Sequence, residues 1–403
     1  MPFTSLDLQK INSGQLQMHQ PVPWAICDEK GQLLLEKGGM IESTEFKLIL
    51  EKLGYFAYQV ESDVPQPVQF NKRKVNPFAE FEDLSFRLGE LFSQLEKGTV
   101  FGPGVVKRRI FDVITQVQGL IQHDADALLG AVHLNDRLDY IVHHPMQIAI
   151  LTELVLERLK IPQKIRLSVL AAALTSNVAM NPYQKILHQQ TSPLTDKQRD
   201  MIHRHPVEGV RQLKNAGIDD ELWLMLVAQH HEKLDGSGYP AGLKGEAVRY
   251  EARLLAVADV YSAMVTPRVY RGPLRLKESL KDLMQQGGVT LDAKIIRIFI
   301  TELGLYPPGV FVRLNNGDLG VVVGRTPDPK CPVVASIKKS DGNFFPSPRK
   351  RRTSDADYGI KYVCDATERV QINPANLWGL DAIRVEVRRP EFSEVSEFLR
   401  QLS

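Results

Sequence analysis

The sequence predicts a mainly α protein: a helical bundle in the middle, a small α/β unit before it and a β-rich region after it. Three observations lead there. Apolar residues recur at helical spacing through most of residues 78–304. On either side, short apolar runs are divided by turns that contain Gly or Asn, the pattern of strands. A proline-rich stretch, DVPQPVQFNKRKVNP at 63–77, carries the consecutive bases Lys72, Arg73 and Lys74 and reads as a linker. The 403 residues allow two or three domains. With 43% hydrophobic and 24% charged residues, the composition excludes a mainly disordered or fibrous chain. A formal net charge of +2 gives no general case for a nucleic-acid coat or a membrane-surface protein, and neither partner is expected.

In chain order, PVPWAICDEKGQLLLEKGGMI reads as two strands about a turn at Asp28–Gly31. Ser43 or Thr44 suits the cap of a short helix stopped by Gly54, and YFAYQV reads as a further strand. Residues 1–62 are therefore an α/β accessory domain, and 78–129 are connecting helices. The segments FAEFEDLSFRLGELFSQLEKG, VVKRRIFDVITQVQGLIQ, QIAILTELVLERLK and QKIRLSVLAAALT are amphipathic or apolar helices. Ala171, Ala172 and Ala173 allow two helices to approach closely. Beyond Pro307-Pro308-Gly309, VFVRLNNGDLGVVVGRT reads as a hairpin across Asn315-Asn316-Gly317. CPVVASIKK and YGIKYVCD are further strands, with the basic run Arg349–Arg352 between them read as a solvated loop, a phosphate or partner contact being the alternative. FSEVSEFLRQLS is expected to close the chain as a helix.

Three scattered cysteines, Cys27, Cys331 and Cys364, match no zinc or redox spacing, so free thiols in a reducing compartment are expected. The first residues lack the pattern of a secretory leader, and no apolar run approaches the roughly 20 residues of a membrane span, so a cytoplasmic location is expected.

Nine of the ten histidines lie in the helical middle, which makes it the place to look for a metal. His230-His231-Glu232 ends the apolar run LWLMLVAQ and runs into a loop too glycine-rich for helix, Lys233-Leu234-Asp235-Gly236-Ser237-Gly238-Tyr239-Pro240. Adjacent histidines point about 100° apart on a helix but can converge on one ion where it ends.

The string HHEKLDGSGYPAGLKG resembles the signature of the HD-GYP family, bacterial helical proteins related to metal-dependent HD phosphohydrolases, which hydrolyse the second messenger c-di-GMP. ARLLAVADVYSAMVTPRVYR, LTDKQRDMIHRHPVEG and YIVHHPMQIAIL extend the similarity over about residues 130–305. The resemblance implies an HD-type bundle there and a β-rich accessory region at 306–403. It implies metal ligands at His144, His205, His230, His231 and Asp259, and phosphate contacts from Arg268 and Arg271. Gly238-Tyr239-Pro240 would serve substrate binding or a signalling partner. Glu232 and Asp235 are expected to brace that loop through backbone N–H groups, and His143 and His203 to stand beside the ligands.

The departure from the family lies at the pair that gives it its first name. Where relatives carry adjacent His and Asp, this chain has Ser176 and Asn177, and no His or Asp occurs between 161 and 187. An aspartate can bridge two cations; a neutral amide offers one weaker oxygen, and serine is a poor substitute for imidazole. Tyr140 and Ser262 replace two further acidic residues. Three imidazoles at His205, His230 and His231 can still hold one divalent ion (Fe, Mn, Zn or Ni), a better-supported set than His144 with Asp259. Three readings stay open: a degenerate module that binds c-di-GMP or a protein partner with little hydrolysis, an active c-di-GMP phosphodiesterase giving pGpG or GMP, and a structural scaffold. A homodimer is compatible with each.

Overall fold

The computed structural model describes residues 8–10, 16–22, 26–28, 33–36, 39–53, 55–57, 64–70, 75–135, 138–265 and 276–379. The chain divides into two compact units, Met1–Pro65 and Gln66–Ser403. In the first, strands β1 (Leu8–Lys10), β2 (Ile26–Cys27) and β3 (Leu33–Leu35), helix α1 (Thr44–Leu53) and strand β4 (Tyr55–Ala57) form one layer of each kind. The sheet order is β1-β4-β2-β3, antiparallel throughout. Ser43 Oγ accepts the Phe46 N–H at 3.1 Å, the expected cap. Leu16, Val22, Ile26, Ile41 and Leu50 make the core. The turn at Gly31, the stop at Gly54 and the end of YFAYQV lie outside the described residues.

The second unit opens with α2 (Pro77–Glu96), started by Pro77 and capped by Asn76 Oδ1. Then follow α3 (Val105–Leu134), α4 (Tyr140–Arg158), α5 (Gln163–Thr175), α6 (Asn181–Gln189), α7 (Asp196–Asn215), α8 (Glu221–Gln229), α9 (Tyr250–Val265), α10 (Leu276–Gln286) and α11 (Ala293–Leu303). α3 runs through the expected boundary at 129/130. It kinks at Asp124, whose backbone leaves helical φ/ψ and whose carboxylate accepts the Ala127 N–H at 2.9 Å. α4 is the central rod, buried along almost its whole length and packed by α2, α3, α5, α9 and α11. Ala171, Ala172 and Ala173 are all buried where α5 lies between α4 and α8.

The core holds an ionic network on α4. Glu153 of α4 is fully buried, accepts from Gln118 Nε2 at 3.0 Å and meets the Arg166 guanidinium with both oxygens. Removing one partner of a buried pair strands the other's charge. Glu153→Ala is expected to cost about 3–5 kcal/mol of unfolding free energy, read from urea titration. A loss below about 1 kcal/mol, the range of a surface pair, would refute that role.

The C-terminal region packs on the bundle within the same unit. Strands β5 (Phe311–Leu314), β6 (Leu319–Gly324), β7 (Val333–Lys338), β8 (Phe344–Arg352) and β9 (Ile360–Val363) order as β8-β7-β6-β5-β9, all antiparallel. The β5–β6 hairpin turns at Gly317, whose φ of 86° suits glycine. One correction concerns Arg349–Arg352: these residues end a nine-residue strand instead of lying in a loop. Pro346 and Pro348 hid it, since proline removes the ladder donor and is confined to edges such as this one. Phe311, Val321, Ala335 and Ile337 pack against Leu134 of α3 and against Trp378 of α12 (Pro374–Trp378). His133 pins the seam: its Nδ1–H is shared by the carbonyls of Leu129 and Pro308, each at 2.9 Å. Burial drives this imidazole down to about 4, so it is neutral. Cys331 and Cys364 are free thiols, and the side chain of Cys27 and the expected closing helix lie outside the described residues. No helix among the described residues is long and apolar enough to cross a membrane.

Candidate metal centre and cleft

A cleft of about 680 Å³ opens between α4, α6, α7 and α9, with the loop after α8 on its rim. Two histidines reach it by the same local device. His205 precedes Pro206 inside α7. Proline has no N–H, so the carbonyl of Ile202, four residues back, loses its helical donor. His205 Nδ1–H takes that place at 2.6 Å. His230 caps the end of α8, where carbonyls have no helical partner, and its Nδ1–H donates to Val227 O at 2.8 Å. Both rings are thereby held as the tautomer with a bare Nε2. The two Nε2 atoms face each other at 3.2 Å.

Two lone pairs at that distance repel unless something positive lies between them. Nitrogens bound at 2.0–2.1 Å to a tetrahedral ion stand about 3.3–3.4 Å apart, so the spacing matches a shared ion. His231 completes the set: one nitrogen from each of the three rings lies within 4.8 Å of the others. All three are neutral and ready to bind. Burial drives His205 down to about 3, with His230 adding to it, and burial lowers His230 and His231. The residues fit a divalent first-row cation.

His144 and Asp259 stand on the other side of the cleft. His144 Nε2 lies 2.9 Å from Asp259 Oδ1, while Oδ2 is 3.7 Å from His231 Nδ1. Burial opposes ionisation of Asp259, but the His144 hydrogen bond and the neighbouring histidines outweigh it and keep the carboxyl below its usual range. His144 stacks on Tyr140 one turn earlier, ring centres 4.8 Å apart. Asn177 lines the cleft and donates from Nδ2 to Ser176 Oγ at 3.3 Å. Among the described residues, Asp259 is the one carboxylate in the lining. The chain's only adjacent His–Asp pair, His123–Asp124, sits at the kink of α3 and is not part of the lining.

The loop is braced as a rigid rim. Glu232 is buried and accepts the N–H groups of Ala241 and Leu243 at 2.7 and 2.8 Å. Asp235 accepts the Ser237 N–H at 2.9 Å. Tyr239 lies between His203 and His231, with ring centres 4.6 and 4.8 Å away. Burial, then the charge of Asp259, raises its phenol, which remains a donor. Gly238 and Pro240 shape the loop and do not line the cleft. A Cβ at Gly238 would stand 2.4 Å from Lys233 N and 2.6 Å from both Glu232 Cα and His231 O, all backbone. Gly238→Ala is expected to lower unfolding free energy by about 1–3 kcal/mol and to loosen metal binding, since the loop can yield only by moving His231. Thermal melts and metal titration check this; an unchanged metal affinity would detach the loop from the site. His143 faces away, its Nε2 2.9 Å from Val132 O. Arg268 and Arg271 lie outside the described residues. Tyr140 as a stacking partner was not anticipated, although its position four residues before His144 was the available signal.

Residues 131–295 match the family model described as HD domain. This segment is an HD domain. A cyclic di-GMP phosphodiesterase of Pseudomonas aeruginosa is 29% identical over 212 residues, 53% of this chain and 51% of its own. A cyclic di-GMP phosphodiesterase response regulator of Xanthomonas campestris is 37% identical over 106 residues, 26% of this chain and 28% of its own. A solved structure described as an HDG"Y"P protein from Bdellovibrio bacteriovorus is 18% identical, with a TM-score of 0.46 over 73% of this chain and 98% of its own. The chain spans about half, or less, of the length of these curated relatives. Within the HD domain the three-histidine centre is complete, while Ser176 and Asn177 stand where the sequence resemblance leads one to expect a His–Asp pair.

Proposed function

We propose that the HD domain binds a cyclic dinucleotide of the c-di-GMP type over a single divalent ion, with little hydrolysis. The observation that carries this reading is the pair of bare Nε2 atoms of His205 and His230 at 3.2 Å, beside an α5–α6 turn that offers only Ser176 and Asn177. The names of the relatives support the ligand class. His205, His230 and His231 would hold the ion, which when bound supplies a Lewis acid for a phosphate oxygen. His144 and Asp259 have their ring nitrogen and carboxylate turned to each other, and among the described residues no second carboxylate lines the cleft to bridge a second ion. Tyr239 and Tyr140 give the ligand flat walls and a phenol donor, and Arg268 and Arg271 are assigned to phosphate by sequence alone. The Gly238–Pro240 loop also offers an outward rim for a signalling partner.

A second reading, slow hydrolysis, has one observation in its favour: three histidines leave a fourth coordination position open, the arrangement of mononuclear hydrolytic sites. One set of measurements separates them. Purified chain is expected to carry about one equivalent of metal, lost in His230→Ala, and to bind c-di-GMP calorimetrically with its phosphodiester bonds intact after overnight incubation. Two equivalents of metal, or multiple turnover, would overturn the binding reading. Absence of c-di-GMP binding would overturn the ligand.

A further inference from the structure

The exposed β8 edge carries a feature that the HD domain does not use. Between 338 and 352 the chain has six basic residues, Lys338, Lys339, Arg349, Lys350, Arg351 and Arg352, against one acid, Asp341. The net charge of the whole chain, +2, conceals this local excess. The cations are gathered on aromatic rings. Lys339, Arg349 and Arg351 stand 5.6, 5.0 and 5.9 Å from the centre of the Phe345 ring. Arg351 also lies 4.4 Å over Tyr358, and Lys338 lies 5.4 Å over Phe344, which is 56% exposed. Among the described residues none of the six forms an ion pair, and Arg351 Nε is buried without a hydrogen-bond partner. Like charges held together raise the local potential, and an anion that follows the strip would relieve it.

The shape of the strip narrows the anion. β8 has nine residues, a run of roughly 25–30 Å at about 3.3 Å each, longer than a compact ligand needs. A peptide adding as a strand would need the edge N–H groups, yet Pro346 and Pro348 have none. The ladder is also broken here: between Ser336↔Arg349 and Lys338↔Phe344, two steps on β7 pass five on β8. A membrane surface would want an apolar face beside the charge, and Phe344 is the one strongly exposed large apolar side chain on the strand. Guanidinium planes and rings laid along one edge instead suit phosphates alternating with flat bases.

We propose that the β7–β8 edge binds single-stranded nucleic acid through Arg349, Lys350, Arg351 and Arg352, with Phe344 and Tyr358 as stacking surfaces. The site is separate from the HD cleft and stands or falls independently of the cyclic-dinucleotide reading. The test is fluorescence anisotropy of labelled 12-nucleotide RNA and DNA strands with the full chain. Binding is expected to weaken with salt along a log–log slope near −2, about −0.7 for each of three phosphates. Arg349→Glu, Lys350→Glu and Arg352→Glu together, all at exposed positions, are expected to weaken it by about tenfold or more at 0.1 M salt, with the melting temperature and metal content unchanged. Should the reversed charges disturb folding, the Gln versions of the three serve the same purpose. No binding at 50 mM salt, equal affinity in the folded triple variants, displacement of the strand by c-di-GMP, or binding to anionic phospholipid vesicles in place of the strand would each overturn the proposal.

Discussion

Replacing Ser176 by His and Asn177 by Asp is expected to raise the metal content from about one to about two equivalents and to raise c-di-GMP hydrolysis by about a hundredfold, some 2.7 kcal/mol of transition-state stabilisation. The cleft already has most of what a second ion needs. His144 and Asp259 stand 2.9 Å apart across from the three-histidine centre, each the other's partner and each of a ligand type. Asn177 shares their cleft, so a carboxylate there would face the same space with two anionic oxygens in place of one amide oxygen. A second signature separates metal binding from a general effect on folding. Without metal, the introduced carboxylate and that of Asp259 would repel in a buried setting, so the double variant should melt lower than the parent when stripped and higher when loaded. Two equivalents of metal with no gain in rate would locate the defect elsewhere, in the phosphate-binding or water-positioning groups. One equivalent would mean that the neutral doublet is not what excludes the second ion.

The order and kind of the elements were legible because each follows from a local pattern. The helical spacing from 78 to 304 and the Asn-Gly turn at 316–317 are read from neighbours in the chain, and α2 to α11 and the β5–β6 hairpin stand there. β8 was not legible. Its prolines and arginines look like loop, and only the hydrogen bonding of 349–352 to β7 makes it a strand. The same divide runs through the site. The histidines and the Ser176–Asn177 doublet are sequence facts. The pairing of His144 with Asp259 joins residues 115 positions apart, and the clasp of Tyr239 by His203 needs α7 and the loop brought together. The expectation that His203 stands beside the ligands named no such contact, since an exposed histidine on a helix gives no sign of what a distant loop will lay against it.

Pro206→Ala is the sharpest test of how the centre is held, because it is expected to move metal affinity and stability in opposite directions. A proline inside a helix forfeits one backbone hydrogen bond, so alanine there should leave the apo protein as stable or more so. The restored N–H of residue 206, however, would point at the Ile202 carbonyl, the acceptor that now fixes His205 Nδ1–H at 2.6 Å. Competition for that oxygen frees the imidazole to turn or to change tautomer, and an unoriented ligand binds more weakly. Metal affinity is expected to fall by about tenfold, the lower end of what losing such an orienting partner costs, because a carbonyl with two lone pairs can still serve both donors in part. His205→Ala would remove the metal as well, but it deletes a ligand and says nothing about orientation. The proline exchange leaves all three imidazoles in place. If the alanine variant bound metal as tightly as the parent, the proline would be a feature of the helix alone, and the bare Nε2 of His205 would owe its aim to the packing around it.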